Sequence, residues 1–264
     1  MEVLHTMKYY IVADLHGFLD KLKESLREAG FFEDEQPHKL IVCGDVLDRG
    51  QQAVEMVDFL VSLAERDQLI FVRGNHEDLF LQCMLEIAYN GAVDIALGMS
   101  RHHHNRTWDT LLQLSGMSEQ DAVRYPRELL HAVMSSPFYR TLLPMCVDYY
   151  ETAGYVFCHG WIPTANCAYD ESWRQASFEE WQVARWSNGM AQACKFGITE
   201  PGKTIVCGHF HASYGHAKIA GECSEWGEDA DFSPFYADGI IALDACTAYS
   251  GRMNCIVIED QEAT

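Results

Sequence analysis

Short apolar runs alternate with longer stretches of helical periodicity along the first third of the chain. Tyr9 to Ala13, Leu40 to Cys43 and Leu69 to Val72 are apolar on every position, the pattern of strands buried on both faces. Between them, Leu19, Leu22 and Leu26 recur at helical spacing, and Val54, Val57, Phe59, Leu60, Leu63 and Ala64 form a second stripe. The pattern predicts strands at 8–13, 40–43 and 69–72 and helices at about 18–29, 51–66 and 77–89, a βαβαβα order that builds stacked α/β units. From about 90 to 145 the pattern becomes helical, with helices near 106–115 and 119–135 punctuated by Pro126 and Pro137. This stretch reads as a helical cap inserted over one domain, 1–264. Further strands are expected near 145–151, 155–159, 203–208, 240–244 and 253–258. The pairs 145–151/155–159 and 240–244/253–258 read as antiparallel. Residues 161–202 read as loop and helix, and 221–239 as a loop.

Polar clusters follow these runs. Asp14-Leu15-His16, Gly44-Asp45-Val46-Leu47-Asp48-Arg49-Gly50, His159-Gly160 and Gly208-His209-Phe210-His211 each directly follow an apolar run; Gly74-Asn75-His76-Glu77 follows one with only Arg73 between. Strand ends are where loops of an α/β sheet gather a site. One such histidine is ordinarily a hydrogen-bonded core residue. Five beside Asp14, Asp45 and Asn75 point instead to ligands. If the loops are extended, Asp14 and His16, and likewise His209 and His211, share a face. Mixed oxygen and imidazole donors suit Mn, Fe, Zn or Co better than Ca. Hydrolytic metal pairs sit roughly 3.5–4 Å apart across a bridging carboxylate and water. Gly44, Gly74 and Gly208 read as backbone-geometry residues, since no Gly-rich loop is present.

Taken in order, the clusters resemble the calcineurin-like metallophosphoesterases, most of all the phosphoprotein-phosphatase branch, which includes symmetrical diadenosine tetraphosphate hydrolases. The resemblance runs from Tyr9 to about Ile258. It takes in Cys158-His159-Gly160-Trp161-Ile162-Pro163, the segment Asn105 to Leu111, and the closing strand–Asp–turn–strand of Ile240 to Ile258. It implies two facing mixed sheets flanked by helices, with a helical cap. It implies one metal on Asp14, His16, Asp45 and His211 and a second on Asp45, Asn75, His159 and His209, with His76 as proton donor, Asp48 as its orienter and Arg49 as phosphate grip. It also implies in-line attack of a metal-bridging hydroxide without a phosphoenzyme, on a phosphoserine/threonine protein or alternatively on a dinucleoside polyphosphate or other small phosphoester. A metal-binding regulatory module without catalysis is the remote alternative. The sequence departs in having Ala13 before Asp14 and no arginine directly after Trp186, where Arg185 could substitute as a second phosphate contact.

Charge and cysteine content narrow the partners. Thirty-nine acidic against 19 basic residues give a net charge of −20, which repels nucleic acid polymers. The 10 cysteines lack any Cys-x-x-Cys, and neither a signal pattern nor a membrane-length apolar stretch is present. These features fit a cytoplasmic protein, with Met7 an alternative start and 1–6 a loose extension. His102-His103-His104 reads as a polar surface loop, and the tryptophans from 161 to 186 read as packing unless the substrate carries a base.

Overall fold

The computed structural model describes residues 6–261. The first units follow the expected order: β1 (Thr6–Val12), α1 (Leu19–Glu28), β2 (His38–Cys43), α2 (Ala53–Ala64), β3 (Leu69–Val72) and α3 (Asn75–Asn90). Helix α3 starts two residues earlier than periodicity suggests, because Gly74 caps it and Glu77 bonds back to the Gly74 N–H. Asn75 and His76 therefore ride on a helical first turn. The cap comprises α4 (Val93–Ala96), α5 (Arg101–His104), α6 (Thr107–Ser115), α7 (Glu119–Arg124), α8 (Pro126–Ser135) and the short α9 (Leu143–Met145). The helix expected at 119–135 is two helices, since Pro126 cannot continue the first and instead begins the second.

The remaining elements are β4 (Tyr150–Glu151), β5 (Tyr155–Phe157), α10 (Phe178–Ala184), α11 (Gly189–Phe196), β6 (Thr204–Cys207), β7 (Phe235–Ala237), β8 (Ile240–Ala242), α12 (Thr247–Ser250) and β9 (Cys255–Gln261). They complete two mixed sheets, ordered β3-β2-β1-β9 and β4-β5-β6-β8-β7. The expected hairpin of 240–244 with 253–258 is not formed. β8 runs antiparallel to β7, inside a segment read as loop, whereas β9 crosses to pair antiparallel with β1 in the other sheet. Thr6 already pairs with Gln261, so the loose extension does not reach it; residues 1–5 lie outside the described residues.

Every apolar run is buried on two sides because each sheet is covered on both faces. Tyr9, Ile11, Ile41, Cys43, Val72, Phe157 and Val206 fill the space between the sheets. Their neighbours Tyr10, Val12, Leu40, Val42 and Phe71 face α1, α2 and the cap, sharing one core with Trp108, Leu111, Leu129 and Phe138. Val156, Ile205 and Cys207 pack with Trp161, Trp173 and Trp181 on the far side. The cap is thus cored together with the first sheet, which positions α6 over the loop after β2. No helix among the described residues is long and apolar enough to cross a membrane.

Candidate functional site

The loops after β1 and β2 are zipped together: His16 N–H donates to Asp45 O at 2.9 Å, Gly17 N–H to Val46 O at 2.8 Å, and Gly50 N–H to His16 O at 2.8 Å. They are not extended. Asp14, His16, Asp45, Asp48, Arg49 and His209 all have positive φ, from 45° to 73°, and such left-handed residues gather where function constrains the backbone. The side chains converge because five strand ends adjoin, not because alternate residues of an extended loop share a face. The glycines leave room for this. A Cβ on Gly74 would lie 2.2 Å from Asp45 Oδ1, and one on Gly208 would lie 2.1 Å from Asp14 Oδ2.

Among the described residues, His, Cys, Asp and Glu donor atoms lie within 4.8 Å of one another in two groups, His16–Asp45–His76 and Asp45–His159–His209. Asp45, almost wholly buried, belongs to both. Asn75 joins the second group through its Oδ1, 2.7 Å from His159 Nε2 and 2.9 Å from His209 Nδ1. Backbone carbonyls select the imidazole tautomers. His16 Nδ1–H donates to Leu47 O at 3.0 Å and His159 Nδ1–H to Cys43 O at 2.8 Å, so each turns its Nε2 inward, as metal-ligating histidines do. Glu77 braces the floor, accepting the N–H groups of Asp45, Val46 and Gly74 at 3.0, 3.0 and 2.6 Å.

The electrostatics call for positive charge. Burial lowers the pKa of His159, but Asp45 and Asp14 more than reverse this and push it up to about 10. Burial would raise Asp45, yet His159, His76 and His16 hold it well below the usual carboxylate range. Burial, with Asp244 and Asp45 nearby, drives Asp14 well above that range. Burial with Arg49 and His76 nearby keeps His16 neutral, and burial beside His159 lowers His209 to about 3. Two imidazoles kept neutral (His16 and His209), the protonated His159 whose proton a cation would replace, an amide oxygen and a shared carboxylate form a donor set that fits two divalent or trivalent cations.

At one edge sits an acid–base pair. His76 Nδ1–H donates to Asp48 Oδ2 at 2.6 Å. Asp48 is also held by the cap: Thr107 Oγ1–H donates to Oδ2 at 2.7 Å and Thr110 Oγ1–H to Oδ1 at 2.6 Å. Burial lowers the pKa of His76, but Asp45 and the Asp48 hydrogen bond raise it overall. The Arg49 guanidinium spans the pair and the first group, 2.8 Å from His16 Nε2 and 3.2 Å from His76 Nε2.

Asp14 and His211 stand apart from both donor groups. The Asp14 carboxylate accepts the His209 N–H at 2.9 and 3.1 Å. His211 hydrogen-bonds Ser213 Oγ at 2.9 Å and packs its ring 4.4 Å from that of Trp226. Arg185 does not stand in as a phosphate contact: it is buried, donating to Asp78 at 2.7 Å and to Asp148. The triple histidine is helical rather than a loop. His102 is wholly buried with Nε2 3.3 Å from Glu86, because α5 packs it inward. Thr107, Thr110 and Glu77 lie inside segments already singled out but carried no assigned role. Asp244, buried beyond β8, is one more carboxylate at a strand end, and the rule that found the others would have found it.

The sequence model of the family described as calcineurin-like phosphoesterase matches residues 7–213. A symmetrical bis(5'-nucleosyl)-tetraphosphatase of Aromatoleum aromaticum is 34% identical over 115 residues, 44% of this chain and 36% of its own length. An asymmetrical one of Bacillus velezensis is 25% identical over 142 residues, 52% of each chain. The matched stretches thus span about a third to a half of these relatives. A protein serine/threonine phosphatase from Saccharomyces cerevisiae superposes with a TM-score of 0.50 at 12% identity, covering 98% of this chain and 81% of that one.

Proposed function

The chain belongs to the calcineurin-like phosphoesterase family, and from that premise we propose that it is a dinuclear-metal phosphohydrolase. One observation carries the reading: two donor groups, His16–Asp45–His76 and Asp45–His159–His209, share the buried Asp45, with Arg49 against the first and Asp48 backing its His76. His16, Asp45, Asn75, His159 and His209 would hold the cations (Mn, Fe or Zn); Asp14 and His211 are the ligands the family resemblance adds. When bound, the cations supply Lewis acidity toward phosphoryl oxygens and lower the pKa of water.

The protein's own groups supply the rest. Arg49, exposed and planar, meets two phosphoryl oxygens bidentately. His76 presents Nε2 to the site and delivers a proton to the departing oxygen, while Asp48 holds the ring and stabilises its cationic form. Glu77 keeps the loops after β2 and β3 in register. Burial pushes up the thiol pKa of Cys43, Cys158 and Cys207, which leaves them as buried hydrophobes rather than nucleophiles. Transfer is then directly to water, with inversion at phosphorus.

Relatives named as nucleosyl-tetraphosphatases favour a dinucleoside polyphosphate over a phosphoprotein as substrate. The test is a competition: manganese-loaded protein receives diadenosine tetraphosphate and phosphoserine/threonine peptides together, and products are followed by chromatography. Nucleotide products should dominate and vanish with chelator, and His76→Asn should slow turnover about 10²–10⁴-fold. Dominant phosphate release from peptide would reverse the substrate order. Turnover of neither substrate would overturn the hydrolase reading.

A further inference from the structure

The structure assigns a binding site for the nucleoside half of the substrate to the groove between α3 and α10, with the Trp186 indole as its stacking wall; this rests on the phosphohydrolase reading above. The tryptophans of the second half are not equivalent. Trp161, Trp173 and Trp181 are 0–2% exposed and belong to the core, whereas Trp186 is 52% exposed; Trp226, 48% exposed, packs against His211 and does not line this groove. It is nonetheless well anchored. Its neighbour Arg185 is buried between Asp78 and Asp148, and its own N–H donates to Val183 O at 3.1 Å. Its ring meets the His209 ring edge-on, 5.6 Å between centroids. The indole is thus fixed to a candidate metal ligand while half of it remains open.

That open half lines a cavity of about 380 Å³ together with Asn75, Leu79, Gln82, Arg101 and Gln182, a size within the range of small-molecule pockets. Asn75, Leu79 and Gln82 lie at i, i+4 and i+7 on α3, one helical stripe. The groove therefore starts at a metal-facing amide and reaches Gln82 roughly 10 Å along the axis, a span suited to a ribosyl base whose phosphate sits at the metal centre. The donors are of the kind that read base edges: two primary amides, and Arg101, which reaches across to Gln82 Oε1. Of the carboxylates lining the groove, Asp78 is paired with Arg185 and Arg73, and Glu179 offers an acceptor for an exocyclic amine. A flat aromatic wall over amide groups suits a nucleobase better than a phosphopeptide, whose backbone and side chain present no extended π-face.

The experiment compares AMP, inorganic phosphate and a phosphoserine peptide as ligands of the manganese-loaded full chain, by calorimetric titration of the wild type, Trp186→Ala and Trp186→Phe. Stacking predicts that AMP binds the wild type more tightly than phosphate does. The AMP-to-phosphate affinity ratio should fall about 10-fold in Trp186→Ala and return in Trp186→Phe. An AMP affinity no better than that of phosphate, an unchanged ratio in Trp186→Ala, or an equal loss for the phosphoserine peptide would each overturn the assignment. Binding is read without turnover, so failure of the base site is distinct from failure of the hydrolase reading, which appears as absent hydrolysis.

Discussion

A carboxylate held by three donors has little freedom left, and Asp48 is in that position. Thr107, Thr110 and His76 reach it at 2.6–2.7 Å, and its own N–H donates to Thr110 Oγ1 at 3.1 Å. Two of these donors come from the cap, so the cap sets the angle at which Asp48 presents itself to His76. Hydrogen bonds to charged groups contribute about 1.5–3 kcal/mol each. Thr110→Val, which keeps the shape and removes the hydroxyl, should lower kcat on substrates with poor leaving groups about 10-fold or more, and Thr110→Ser should restore it. Equal impairment in both variants would show that the methyl packing, not the hydroxyl, matters. The Asp48–His76 pairing is implied by the family resemblance, but the threonine contacts were not legible in the sequence. The motif containing Asp48 is local, but its threonine partners lie about 60 residues away, and pairing at that separation leaves no periodic trace.

Strand ends are the elements on which the site depends, and Gly208 shows how tightly they are fitted. It closes β6 where a Cβ would meet the Asp14 carboxylate at 2.1 Å and the Ala13 Cβ at 2.7 Å. Gly208→Ala should displace Asp14, lower bound metal per chain by elemental analysis, and cost about 1–3 kcal/mol of stability from overpacking. Retained metal with unchanged stability would mean that the loop yields. β1, β2, β3, β5 and β6 were readable because runs such as Leu40-Ile41-Val42-Cys43 are apolar on both faces, and the polar residues after them then read as ligands. β7 was not, being three residues long and set among Ser, Asp and Glu. The partnership of β9 was misread because adjacency in sequence suggested a hairpin with β8, whereas the choice between sheets is settled by tertiary packing. Resemblance grouped Asp14 and His211 with the other ligands, but it carries no information about which rotamer each takes; here Asp14 holds the His209 N–H and His211 packs at a tilt against Trp226.

Across the whole molecule, ion pairs tie distant segments together. Arg174 bonds Glu151 on β4 at 2.5 and 3.0 Å and Glu200 at 2.8 Å; Lys203 joins Glu151 at 2.7 Å, and Glu200 also takes Trp173 Nε1–H at 2.8 Å. The Arg174 hydrogen bond, helped by Lys203 and opposed by burial, lowers the Glu151 pKa. A depressed folded-state pKa contributes stability that is complete above the ordinary glutamate value of about 4.3 and lost as pH falls through the folded value. The Tm of the wild type should therefore drop more steeply between pH 5 and 2, on the order of the glutamate range, than that of Glu151→Gln. Parallel curves would remove Glu151 from the acid-sensitive set.

The pairing of β9 with β1, from Thr6↔Gln261 to Val12↔Cys255, has a consequence for synthesis. As the chain leaves the ribosome, β1, β2 and β3 can associate early, being parallel neighbours joined by short crossovers. The outer edge of β1, however, stays open until residues 255–261 emerge, because no earlier segment occupies that place. Loop closure over such a separation is slow, and an unpaired apolar edge invites pairing with another nascent chain. The interval between translating β3 and β9 is thus the period in which this protein most needs a chaperone, and ribosome-stalled chains ending before residue 255 should be the species that aggregates.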